Sequence, residues 1–161
     1  MRKTLHKNPI KVVSFDVDGV LTDGTLHFSE AGEVAKSFHA RDGHSIQTLV
    51  ASGYIVVFMS ASKSKKIIES RAKSLGVTQV FTGVEDKLTS MSQLVRSLSL
   101  TLNDVCHVGD DLQDISLLEA CGISVCPQDA VWQVKKIVDL VLTTSGGKGC
   151  VRELTERLRL H

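Results

Sequence analysis

A chain of 161 residues, 42% apolar and 23% charged, is sized for one domain with a proper core rather than for two. Its formal net charge of +1 removes any general electrostatic case for nucleic acid or a membrane surface as partner, and no apolar run approaches a membrane span. Cys106, Cys121, Cys126 and Cys150 have neither C-x-x-C spacing nor the density of a disulfide scaffold. They read as reduced, buried thiols of a cytoplasmic protein, and the basic start "MRKTLHKNP" is followed by no signal-like apolar segment.

In chain order, "KVVSF" (11–15) is short, β-branched and bounded by turn residues, which predicts a buried strand. "TLHFS" (25–29) and "EVAKSF" (33–38) flank "EAG" and predict a hairpin, each strand polar on one side. Asp42 is placed to cap a helix "GHSIQTLVAS" that Gly53 ends. "YIVVFM" (54–59) is a second buried strand, and a Lys-rich helix then runs to Leu75-Gly76. "QVFTG" (79–83) is a strand, "DKLTSMSQLVRSLS" (86–99) a helix, and "DVCHV" (104–108) a strand leading through "GDD" into the helix "LQDISLLEAC". "ISVC" and "DLVLT" are the last strands, and "GKGCVRELTERLRL" closes as a helix. This rhythm predicts an α/β fold: a three-layer, Rossmann-like, doubly wound and mostly parallel sheet with a small projecting hairpin.

Ligands of such sheets bind beyond the carboxyl ends of the strands. Asp16 and Asp18 follow the first strand, Ser60 the second, and Asp110 and Asp111 a third, so one edge gathers them all. Two carboxylates about 4 Å apart repel by about 4 kcal/mol at an effective dielectric of 20, and that edge needs a cation. Oxygen donors suit Mg²⁺, which takes one or two carboxylates, waters and a substrate phosphate. Lys87 adds an ammonium and Ser60 a hydroxyl, a set that fits phosphoryl transfer through an aspartyl-phosphate.

"DVDGVLTDG", Ser60, "GVEDKL" and "VGDDLQD" together resemble the four motifs of the haloacid dehalogenase superfamily of aspartate-nucleophile phosphatases, in order and spacing, from about residue 11 to 160. "FHARDG" and "GGKGCVRE" are similar to segments of its small capless branch, whose substrates are phosphates of keto-deoxy sugar acids with eight or nine carbons. The resemblance implies that Asp16 is the nucleophile and a metal ligand, and that Asp18 is the acid/base, with its carbonyl on Mg²⁺. It further implies Ser60 and Lys87 as the phosphate-binding pair, Asp110 as the second metal carboxylate, and Asp111 and Asp114 as supporting residues. His39, Arg41 and Ser62 become candidates for substrate contact. One departure stands out: Ala61-Ser62 replaces the Gly-Arg usual after the second-motif hydroxyl, and Lys63 or Arg41 is left to supply the missing charge.

Other readings compete. "DVDG" is no EF-type calcium loop, having its glycine fourth and a strand before it. A phospho-accepting signalling receiver also gathers aspartates, a hydroxyl and a lysine, but Asp18 gives an acid/base for turnover that a timer would not want. A non-catalytic oligomerisation domain would not need every one of these residues. Asp23 fits turn formation, His107 a satisfied core histidine, and Lys63–Lys66 a solvated helix face. From Asp18 to Lys87 the chain is used up by a hairpin, two helices and two strands, leaving no room for a cap domain. By resemblance the open site is walled by a neighbour in a homotetramer built on residues 25–38, with a tail from about 145 folding over it.

Overall fold

A computed structural model describes residues 10–160; the basic N-terminal segment lies outside them. Six strands form one sheet in the order β5-β4-β1-β6-β7-β8, all pairs parallel: β1 (Val12–Asp16), β4 (Ile55–Ser60), β5 (Gln79–Thr82), β6 (Val105–Val108), β7 (Ile123–Cys126) and β8 (Leu140–Val141). β1 is buried on both faces along its whole length, which is why its sequence is a continuous run rather than an alternation.

Successive side chains of a strand point to opposite faces, and this sorts the helices. Val13 and Phe15 pack with Ile46, Ile68 and Leu154, from α1 (Ala40–Ala51), α2 (Lys65–Ser74) and α6 (Cys150–Leu158). Val12 packs on the other face with Met91 of α3 (Lys87–Ser97) and Leu117 of α4 (Ile115–Ala120). Phe15 and Phe58 are fully buried, each contributing about 2–3 kcal/mol relative to exposure. Ser14 and Asp16 share the pleat of Val12, so they face the α3–α4 layer.

The hairpin is shorter than its sequence suggests, β2 (His27–Ser29) pairing with β3 (Gly32–Ala35) in a separate two-stranded sheet. β2 is exposed throughout and packs on no core that could fix its ends. The helix expected after "GDD" divides into a 3₁₀ turn over Leu112–Asp114 and α4. α5 (Trp132–Ile137) was not apparent in the sequence; it has six residues and one fully buried side chain, Val134, too little for a periodic signal.

Asp42 departs from its expected place. α1 begins at Ala40 with His39 at its N-cap, so Asp42 lies inside the first turn. Its carboxylate instead accepts from Gly149 N–H at 3.2 Å and Arg152 N–H at 3.0 Å, capping α6 from across the fold. The residue at the α6 N-cap is Gly149, which has no side chain to do so.

Candidate active site

Asp16 ends β1, and the chain then makes a tight turn over Val17–Leu21, closed by Thr22 N–H donating to Val17 C=O at 3.0 Å. Asp16 Oδ1 accepts from Val17 N–H at 2.8 Å, and the Lys87 ammonium stands 2.9 Å from the same oxygen. Gly19 sits in that turn at φ +93°, against Asp110; a Cβ there would overlap the Asp110 carboxylate. Glycine is therefore needed twice over, for its backbone angle and for room.

Lys87, the first residue of α3, reaches inward and is 1% exposed. Its Nζ lies 2.6 Å from Asp114 Oδ1, so one ammonium joins two carboxylates. Asp114 Oδ2 accepts from the N–H groups of Asp110 and Asp111, at 3.0 and 3.2 Å, and holds that loop in place. His107 Nε2 lies 3.3 Å from Asp114 Oδ1, and Nδ1 3.1 Å from Ser14 Oγ, so the histidine is satisfied at both ring nitrogens. Asp111 is exposed and accepts from Leu112 N–H at 2.7 Å, capping the 3₁₀ turn.

The electrostatics follow from crowding. Burial, reinforced by Asp114, pushes the Asp16 carboxyl up to about 6 even against Lys87. Burial and the nearby Asp16 charge push Asp110 up to about 8. Asp114 goes the other way: burial opposes its ionisation, but the bonds from His107 and Lys87 hold it well below the usual carboxylate range. Burial also works against the Lys87 charge, which Asp16 and Asp114 more than offset, raising its pKa.

One ligand oxygen each from Asp16, Asp110 and Asp114 lies within 4.8 Å of the others. Asp16 Oδ2 and Asp110 Oδ1 are buried without a hydrogen-bond partner among the described residues. Two orphaned carboxylate oxygens facing one gap fit a hard divalent cation, which would restore both to their charged forms. Asp114 is already fully engaged, so Asp16 and Asp110 are the side chains with oxygens to spare.

Asp18 points into an open cleft of about 610 Å³, lined also by Leu26, Phe28, Ser62, Lys63 and Gln113. Ser60 Oγ stands 3.5 Å from Asp18 Oδ2 and accepts from Ser62 N–H at 3.0 Å. Lys36, just past β3, had no signal in the sequence beyond being a lysine near a strand end; its Nζ lies 2.6 Å from Asp18 Oδ1. His39 and Arg41 do not line this cleft. His39 sits in a small gap with Phe38, Asp42 and Arg71, and Arg41 faces solvent beside His44 and Arg152. Asp23 accepts from Thr25 N–H at 3.0 Å, the turn role anticipated for it.

The "GGKGC" segment packs on its own chain's catalytic turn. Gly147 N–H donates to Val20 C=O at 2.9 Å, and a Cβ on Gly146 would collide with the Gly19 carbonyl oxygen.

A carboxylate at the end of a central parallel strand, a cation-sized gap beside it and a buried lysine define an aspartate-based hydrolase. The chain belongs to the haloacid dehalogenase-like hydrolase family, whose model matches residues 59–154. It is 41% identical over 149 residues to 3-deoxy-D-manno-octulosonate 8-phosphate phosphatase of Haemophilus influenzae, spanning 92% of this chain and 82% of that protein. The phosphatase of the same name from Escherichia coli K12 is 36% identical over 151 residues, 94% of this chain and 80% of that one. Among solved structures, that phosphatase from Moraxella catarrhalis, in complex with magnesium ion, phosphate ion and a KDO molecule, matches with a TM-score of 0.89. It is 33% identical and covers 94% of this chain and 87% of that one. The cobalt-bound Haemophilus influenzae structure matches with the same TM-score at 41% identity, covering 94% and 88%.

Proposed function

We propose that this protein is a Mg²⁺-dependent phosphatase of keto-deoxy sugar-acid phosphates, with 3-deoxy-D-manno-octulosonate 8-phosphate as its substrate. The observation that carries this is the pair of orphaned oxygens on Asp16 and Asp110, set beside the Lys87 ammonium at the carboxyl edge of the sheet. The similarity to octulosonate phosphatases across nearly the whole chain supports the substrate.

Asp16 and Asp110 would hold the ion, with the Asp18 backbone carbonyl as a third donor, where it would neutralise charge on the transferring phosphoryl group. Lys87 and Ser60 bind the phosphate oxygens. An Asp16 oxygen attacks phosphorus, and the ester oxygen leaves with a proton from Asp18, giving an aspartyl-phosphate and the free sugar acid. Asp18 then takes a proton from water, which attacks phosphorus, releases phosphate and restores Asp16. Lys63, which lines the cleft, supplies the charge for the substrate carboxylate where the usual arginine is replaced.

The cleft is open, and exposed Leu26 and Phe28 belong to the hairpin arm beside it. Burying them against copies of the same hairpin would both remove apolar surface from water and wall the site, which supports a homotetramer. The four cysteines are buried and form no disulfide among the described residues, which suits the reducing cytoplasm.

The test is turnover of a panel: octulosonate 8-phosphate, a nonulosonate 9-phosphate, and simple sugar phosphates, each with Mg²⁺ and with chelator. We expect Mg²⁺-dependent release of phosphate with the eight-carbon substrate favoured by kcat/KM. Equal rates on simple phosphates would overturn the assigned substrate, and no Mg²⁺-dependent turnover at all would overturn the enzymatic reading.

A further inference from the structure

We propose that His107, held by Ser14, is a positioning residue that sets the Lys87 ammonium against the phosphate site through Asp114. The inference rests on the phosphate-binding role given to Lys87 above and adds the apparatus that aims it.

The apparatus is a single line of contacts under the catalytic edge. Ser14 Oγ lies 3.1 Å from His107 Nδ1, His107 Nε2 3.3 Å from Asp114 Oδ1, that oxygen 2.6 Å from Lys87 Nζ, and Nζ 2.9 Å from Asp16 Oδ1. Ser14 and His107 are register partners on adjacent strands, β1 and β6, so the first link runs straight across the sheet. Both point into the α3–α4 layer, which supplies Lys87 and stands next to Asp114. All three inner members, Ser14, His107 and Asp114, have zero exposure.

Donor and acceptor chemistry gives this line one direction. The ionised Asp114 carboxylate only accepts, so His107 Nε2 carries the hydrogen and donates it. Nδ1 is then an acceptor, and the Ser14 hydroxyl donates to it. One tautomer satisfies every group: Asp114 selects it, and the Ser14 hydroxyl completes it at Nδ1.

The result matters for Lys87 because of how Asp114 is shared. Oδ2 is fastened by two backbone N–H groups, whereas Oδ1 has His107 and Lys87. Without the imidazole, Oδ1 would keep only the flexible lysine as partner among the described residues, and the ammonium could swing with it. A displacement near 1 Å at a group that orients substrate is enough to slow a reaction about a hundredfold. The sheet itself has no use for the pair: Val12 and Val105, next along the same pleat and also register partners, are apolar. A Ser–His pair in such surroundings costs desolvation with no packing gain.

The experiment compares wild type with Ser14→Ala, His107→Leu and His107→Gln, the last keeping an N–H donor near the Nε2 position. Two measurements are made in Mg²⁺: calorimetric binding of inorganic phosphate, and kcat and KM for a hydrolysed ester, alongside melting temperature. We expect His107→Leu to weaken phosphate binding tenfold or more and to lower kcat/KM at least a hundredfold. Ser14→Ala should lose threefold to tenfold in both, and His107→Gln should recover most of the loss. If His107→Leu does not fold, Ser14→Ala decides alone. Folded His107→Leu or Ser14→Ala with lower melting temperature but phosphate affinity and KM within twofold of wild type would overturn the proposal and leave His107 a structural residue. A wild type that binds phosphate but hydrolyses no ester would overturn the enzymatic reading alone, and one that binds no phosphate would overturn both.

Discussion

Asp16 and Asp18 are separated by a single residue, yet their surroundings divide the labour between them. Asp16 is buried with Lys87 on one oxygen, while Asp18 reaches the open cleft between Lys36 and Ser60. Asp16→Asn should therefore abolish turnover, by on the order of 10⁴-fold or more, without loss of fold, since it also removes a like charge facing Asp110. Asp18→Asn should pass phosphate to Asp16 faster than it releases it, so that the intact-mass spectrum shows a phosphorylated protein; normal hydrolysis in that variant would reject its acid/base role. The same crowding predicts how stability depends on pH. Asp110, pushed up to about 8, binds its proton more tightly folded than unfolded, so its contribution is present at lower pH and lost as pH rises toward 8. His107, lowered by burial, acts in the opposite sense, but only below its unfolded value of 6.5. Between pH 6.5 and 8 the carboxyl dominates, and chelator-treated protein should lose up to about 2 kcal/mol. Thermal melts should show that loss and its reversal by Mg²⁺; a flat profile in chelator would contradict it.

At the level of elements, the strand–helix order could be read from the sequence because buried parallel strands are short β-branched runs closed by turn residues. β1, β4 and β6 lie within a residue of where "KVVSF", "YIVVFM" and "DVCHV" put them. The convergence of Asp16, Ser60, Lys87 and Asp110 was legible for the same reason, as each sits at the end of a readable element. What stayed hidden depends on contacts between distant segments. Asp42 has the composition of a local cap, but its donors are on α6, more than a hundred residues on. Lys36 belongs to an arm with no core of its own, and its approach to Asp18 comes from where the hairpin leans. Gly146, expected only as part of a tail folding over the site, makes a close backbone contact with Gly19 of its own chain. Asp42→Ala should cost about 1–2 kcal/mol by leaving the start of α6 without its acceptor. Asp42→Asn should cost less, and equal melting temperatures for the two would deny the cap.

For the molecule as a whole, the hairpin is the element whose exposure is hardest to explain in an isolated chain. Phe28 is 69% exposed and Leu26 52%, and both border the cleft. Light scattering of the wild type should give the mass of four chains, and Phe28→Lys should lower it while raising KM more than it lowers kcat. A wild type that is monomeric and fully active would remove the hairpin from any role in assembly.

β1 lies at the centre of the sheet, and both its neighbours are supplied late, β4 by residues 55–60 and β6 by residues 105–108. On a translating ribosome β1 would therefore wait with both edges unpaired until residues 55–60 had followed, and with one edge still open until residues 105–108 had. Three aspartates in the segment from Asp16 to Asp23 keep that waiting stretch charged, guarding a nascent Val-Val-Ser-Phe run against association with other chains. The acidic residues that serve chemistry in the finished protein would thus also act as its gatekeepers during synthesis.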